Sequence, residues 1–229
     1  ALEKFITKQK KKKTLIIYPN NEYSNFIDKK IQKIKLKNYK IFKYSSNPKI
    51  LTGEIEKLTN YSQRKRNLEN KKKLLKDKED PQSKYELSKL EQIYTLGEVN
   101  FDSLIIIDFG NSLKSVLASL TFSDVDDKKI LFTTVNQWFD ESIFYENSVK
   151  NLYYPSVDYK SFKKYNKQYF KTFGAQPTEI TILAYDALGL IYYVWNKKKE
   201  INSIKNFYIK EKIKGKIGTF NFINNEVFQ

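Results

Sequence analysis

Four short apolar runs set the limits on how this chain can fold. They are Leu15–Tyr18 in "TLIIYP", Leu104–Ile107 in "FDSLIIIDFG", Ile130–Thr133 in "KKILFTTV" and Leu152–Tyr154 in "NLYYPSV". Each is too brief for a buried helix and rich in β-branched or aromatic residues, which marks a strand. The runs do not alternate with polar residues, so both faces of each strand must be covered, as happens in a parallel sheet. "YKIFKYSS" alternates and reads as a further strand. The intervening segments carry apolar residues at helical spacing, for example Phe26, Ile27, Ile31 and Ile34. Strand–helix alternation of this kind predicts an α/β fold, a three-layer parallel sheet covered by helices.

Composition removes several kinds of chemistry. The chain has no cysteine and no histidine, so it has no disulfide, no thiolate nucleophile and no histidine base or ligand. An enzyme built from it would need carboxylate, tyrosine or lysine chemistry, and only Asp108 and Asp140 stand at strand ends. The formal charge of +16 suggests a nucleic-acid partner. Of the 42 basic residues, however, only Arg64 and Arg66 are arginines, the residue that makes bidentate contacts to guanine and phosphate. The lysines read as a solvated surface, and no specific nucleic-acid partner is expected. No run has the length of a membrane span.

Three local features have competing readings. "SDVDD" places Asp124, Asp126 and Asp127 together, but without the glycine and distal glutamate of a calcium loop, and a polar turn after a helix is the simpler reading. The charged stretch Ser62–Glu79 reads as a solvated helical hairpin or a mobile loop. Asp186 lies in the middle of the apolar stretch "TEITILAYDALGLIYYVW". It is either a paired structural carboxylate or part of a site, and the structural reading is favoured. The expected inward face of that helix is Ile180, Leu183, Ala184, Ala187, Ile191, Val194 and Trp195. "INSIKNFYIKE" reads as a shorter helix, and "GKIGTFNFINNEVFQ" as alternating strands with a turn at Asn224–Asn225.

The order "KKTLIIYPNNEYSNFI", "FDSLIIIDFGNSLKSVLASL", "ILFTTVNQW", "YKSFKKYNKQYFKTFGAQPTEITILAYDALGLIYYV" and "IKGKIGTFNF" resembles type 1 periplasmic binding proteins, the fold of branched-chain amino-acid receptors of ABC transporters. Within that class the resemblance is nearest to the penicillin-binding protein activator lipoproteins. It covers nearly the whole chain but only the second half of the family's usual length. It implies one α/β lobe over residues 1–157, with a charged helical insert at about 62–80. Residues 158–229 then supply long helices and a return strand, and the first lobe segment is missing. It further implies a non-catalytic periplasmic protein, lipid-anchored through an upstream segment, that recognises a small polar ligand such as an amino acid. Its partner would be an ABC permease or, in the activator group, a cell-wall synthase. No cofactor and no metal are expected.

In open parallel sheets, ligands sit beyond the carboxyl ends of the strands. The loops to watch are therefore 18–23, 108–112 and 136–140. Their candidate ligand-binding residues are Tyr18, Asn20, Asn21, Tyr23, Asn111 and Trp138. They offer aromatic walls, amide donors and acceptors, and helix N-terminal amides, with no catalytic base. Trp138 reads equally well as a pocket wall or a core plug.

Overall fold

A computed structural model describes every residue except 138–142, 144, 146, 157–158, 217, 225 and 229, and describes the backbone alone at 159, 179, 226 and 228. The chain forms two units, Ala1–Pro155 and Ser156–Gln229.

In the first unit, five parallel strands form one sheet: β1 (Thr14–Pro19), β2 (Tyr39–Tyr44), β3 (Ser103–Ile106), β4 (Leu131–Thr134) and β5 (Leu152–Tyr153). Their order is β2-β1-β3-β4-β5. β1 and β3 are buried at every position, as their unbroken apolar sequences require. Ile16 pairs in register with Ile41 on one side and Ile105 on the other. β4 contains two threonines, yet it is interior. Their hydroxyls donate to the Leu104 and Ile106 carbonyls of β3 at 2.7 and 2.8 Å, which satisfies them without water.

Side chains alternate across the sheet and build a core on each face. On one face, α1 (Leu2–Lys8) and α2 (Ser24–Ile31) supply Ile6 and Ile31 against Ile16, Tyr18 and Ile105. On the other, α3 (Pro48–Leu58) and α6 (Gly110–Phe122) supply Leu51, Ile55, Leu113, Val116, Leu117 and Leu120 against Leu15, Ile17, Leu104, Ile106 and Phe132. This is the three-layer α/β arrangement expected from the strand runs.

The charged stretch is ordered structure. α4 (Tyr61–Lys76) and α5 (Pro81–Leu90) form a helical hairpin with its own small core of Leu68, Leu75 and Leu90. Asp80 caps α5 by accepting from the Ser83 amide at 2.8 Å, with Pro81 in the first turn. Arg64 is buried beneath it. Its guanidinium donates to the carbonyls of Thr59 (3.0 Å), Asp124 (3.1 Å) and Ser123, and to the Thr95 hydroxyl (3.0 Å). Of the two readings of 62–79, the solvated helical hairpin is the one seen: most of its residues are exposed, while Leu68, Leu75 and Arg64 anchor it. α5 ends at Leu90, and Gly97 lies in the loop beyond it at φ 117°.

The second unit holds α7 (Tyr159–Phe173), α8 (Glu179–Lys198), a 3-10 turn at Ile204–Phe207 and an antiparallel meander of β6 (Ile209–Lys214), β7 (Thr219–Ile223) and β8 (Glu226–Phe228). Gly174 ends α7 in the left-handed conformation at φ 70°, its amide on the Phe170 carbonyl. Of the helix expected across "INSIKNFYIKE", only the 3-10 turn at Ile204–Phe207 forms, and β6 takes the last three residues. The alternation needed for a strand is present in "IKEKIK", but helical spacing upstream masked it. α8 buries Ile182, Asp186 and Val194, while Ile180, Ile191 and Trp195 are exposed. A helix apolar on nearly all sides gives periodicity no means of choosing a face.

Candidate functional site

The chain runs from β1 outward to β2, then returns past β1 to form β3 on its other side. Connections thus depart in opposite directions from β1 and β3. At such a switch point the loops leaving adjacent strands diverge and open a crevice at the carboxyl edge of the sheet. Here it lies between the loop 20–23 after β1 and the loop 107–110 after β3, with the segment after β4 beside it.

On the β1 side, the Asn20 amide donates to the Tyr44 carbonyl at 2.8 Å. The Asn21 side chain accepts from the Tyr23 amide at 3.0 Å, and the Asn21 amide donates to Ser24 Oγ at 2.9 Å, a compact turn leading into α2. Asn20, Asn21 and Tyr23 are exposed on this loop. Tyr18 is not. It is fully buried, and its hydroxyl donates to Asp28, which also pairs with Lys43 at 2.7 Å. Its ring is core rather than a crevice wall, because the last apolar position of β1 faces α2.

On the β3 side, Asp108 is nearly buried. Its carboxylate accepts from the Tyr44 hydroxyl and, at 2.8 Å, from the Phe109 amide. Burial first, and the Asp108 charge second, hold the Tyr44 phenol well above its ordinary range, so it remains a donor. The following helix, α6, begins with no side-chain cap at Phe109 and with Gly110 at φ 54°, and Asn111 is exposed in its first turn. First-turn amides without a cap can receive an anionic oxygen.

After β4, Gln137 is fully buried. Its amide nitrogen donates to the Asp108 carbonyl at 3.0 Å and approaches the Val135 carbonyl at 3.3 Å, which fixes the orientation of the group. Its Oε1 has no hydrogen-bond partner among the described residues. A buried carboxamide ending in a spare acceptor costs free energy unless something donates to it. Gln137 lies in the expected loop 136–140 but was not among the named candidates, since a polar residue after a strand reads as a solvated turn. Trp138 and Asp140 lie outside the described residues. The structure thus gathers Asn20, Asn21, Tyr23 and Asn111 on the two loops flanking the switch point, and adds Asp108, Tyr44 and Gln137 to them.

The "SDVDD" segment is fully used by the protein. Asp124 takes the Thr95 hydroxyl, Asp126 takes the Lys128 amide at 2.9 Å, and Asp127 takes the Lys150 and Asn151 amides at 2.7 Å each. Among the described residues no carboxylate cluster is placed to hold a metal ion, and no helix is long and apolar enough to cross a membrane.

No family model matches the chain, and no curated protein matches it in sequence. Solved structures do. An extracellular ligand-binding receptor from Verminephrobacter eiseniae superimposes with a TM-score of 0.57 at 9% identity, over 96% of this chain and 57% of its own. The leucine-binding protein LivK from Thermotoga maritima gives 0.54 at 12%, over 98% and 57%. The branched-chain amino-acid transporter substrate-binding protein LivJ from Streptococcus pneumoniae, solved with isoleucine, gives 0.52 at 16%, over 98% and 56%. The fold is that of the periplasmic binding proteins. The chain spans a little over half the length of these three receptors.

Proposed function

We propose that this chain is a non-catalytic, ligand-recognising part of a periplasmic solute-binding receptor, and that its crevice takes a small polar ligand such as an amino acid. The observation that supports this reading is the reversal of strand order between β1 and β3, since Asn20, Asn21, Tyr23 and Asn111 follow those two adjacent strands and are exposed. The chemistry is that of recognition. Carboxamides and uncapped first-turn amides hold a carboxylate, while the spare Gln137 oxygen and the carboxylate of Asp108 favour a donor. Similarity in fold to a leucine-binding protein and to a receptor solved with isoleucine supports the ligand class. The partner would be an ABC permease and the location the periplasm, with lipid anchoring through a separate segment.

The test is a thermal-shift screen of the free amino acids and of 4-hydroxybenzoate, the ligand of a further neighbour from R. palustris. Ligand at about 100 times its Kd stabilises by about 2.7 kcal/mol, which raises the melting temperature by several degrees. Asn111→Ala and Asn21→Ala should each reduce the shift. A shift unchanged in both variants would move the site elsewhere. A second reading is the penicillin-binding protein activator, supported by the "FG-x-x-P" to "AYDAL" and "GKIGTFNF" segments. It predicts capture of a cell-wall synthase and no amino-acid response.

A further inference from the structure

The middle of α8 carries a glycine that neither its backbone nor its packing requires. Gly189 does not have a positive φ, and nothing lies within 4 Å of where its Cβ would stand. Glycine in a helix interior is destabilising relative to alanine. Gly215 makes the contrast. A Cβ there would meet Asp186 Oδ2 at 2.5 Å and the Phe220 ring at 2.7 Å, so glycine is imposed by the close approach of the turn to α8.

The side chain missing from Gly189 leaves space. The residue is exposed and lines an open groove of about 640 Å³ within the second unit, bounded by α7, α8 and the β6–β7 hairpin, with Tyr185 and Tyr192 also partly in solvent. That volume falls in the range of small-molecule sites, roughly 300–1,000 Å³. Tyr185, Tyr192 and Tyr193 line it from α8, spaced with Gly189 along one side of the helix. Lys164, Lys214 and Lys216 also line it, and Asp186 is the one carboxylate among the lining residues. Asp186 is already engaged by the Lys216 amide at 2.7 Å. The Lys216 ammonium lies 5.6 Å from the centre of the Tyr185 ring and donates to Gln168 at 3.3 Å. Three ammonium groups against one occupied carboxylate make the groove electropositive. The tyrosine rings supply flat apolar surface with polar edges.

We propose that this groove binds a small organic anion with a flat apolar body, of which an aromatic carboxylate is the simplest example. The proposal is independent of the crevice at the sheet edge, since all its lining residues belong to the second unit. The rings cover the flat face of the ligand, Lys164 and Lys214 meet its carboxylate, and Gly189 makes the room.

The experiment is isothermal titration of the full chain with 1-naphthoate and with its uncharged isostere 1-naphthamide. Naphthoate should bind saturably at one site, at least tenfold tighter than the amide. Gly189→Phe fills the groove from a position with free space and should abolish binding while circular dichroism stays unchanged. Lys164→Glu combined with Lys214→Glu should weaken naphthoate at least tenfold and leave the amide unaffected. No saturable binding, equal binding of the two probes, or binding that survives Gly189→Phe in a folded protein overturns the proposal. Should Gly189→Phe fail to fold, undiminished binding in the lysine double variant overturns it.

Discussion

Asp186 is a carboxylate in an otherwise apolar stretch, and the turn at Gly215–Lys216 is what keeps it there. It is 7% exposed, and the Lys216 amide donates to it from a turn whose glycine allows the approach. Asp186→Ala leaves that part-buried amide without its acceptor and should lower stability by about 1–3 kcal/mol in urea titration. Arg64 is the larger case, with four acceptors around one guanidinium. Arg64→Lys supplies a point charge in place of a planar fork and should cost about 3 kcal/mol by the same measurement. Two phenols give a pH signature. Tyr18 and Tyr44 are held above the ordinary tyrosine range, by burial first and by the Asp28 and Asp108 carboxylates second. A folded pKa above the unfolded value of about 10 means that the stabilisation is complete below that pH and is lost as pH rises beyond it. Phenolate absorbance should therefore show two of the seventeen tyrosines resisting ionisation until the chain unfolds in alkali. Titration of all seventeen in one step with the fold intact would contradict these environments.

At the scale of elements, β1, β3 and β4 were legible because a strand covered on both faces must be apolar throughout, and "TLIIYP", "SLII" and "LFTT" have few other uses. The α4–α5 hairpin was legible as a solvated hairpin, but its own core was not. Its buried set is sparse, so lysine content outweighed Leu68, Leu75 and Leu90 in any reading by average polarity. Leu75→Ala should cost about 2–4 kcal/mol, measured as the free energy of opening from hydrogen exchange at α4 and α5 amides. Exchange at the unprotected rate in the parent would restore the picture of a mobile segment. The site was half legible. Strand order cannot be read from local pattern, so the candidate loops could be named but the β1–β3 switch that pairs them could not. Tyr18 shows the limit. One position separates the last buried residue of a strand from its exposed loop, and apolar pattern does not mark which side an aromatic residue takes.

Across the whole molecule, buried apolar side chains are divided unevenly. Among the described residues, all three hydrophobic clusters lie in Ala1–Pro155, whereas the apolar side chains that Ser156–Gln229 buries are Tyr165, Pro177, Ile182, Val194, Ile209 and Phe220. Small cores give marginal folds. A fragment of residues 1–155 should therefore retain a cooperative urea transition, while residues 156–229 alone should show none. The reverse result would place the stabilising core in the wrong unit.

The position of β1 has a kinetic consequence. Among the five strands of its sheet it is made first, yet it lies inside. Its partner β2 follows almost at once, but Thr14 and Ser103, side by side in the finished ladder, are 89 residues apart in sequence. The entropy of closing a loop grows only with the logarithm of its length, so the long excursion through α3, α4 and α5 adds little to the equilibrium balance. It does set a delay. On a ribosome adding roughly 5–20 residues per second, β1 waits several seconds with one apolar edge unpaired. During that interval the nascent chain presents the open strand edge that invites pairing with another molecule, and the lysine-rich segments synthesised while it waits keep neighbouring chains apart by charge.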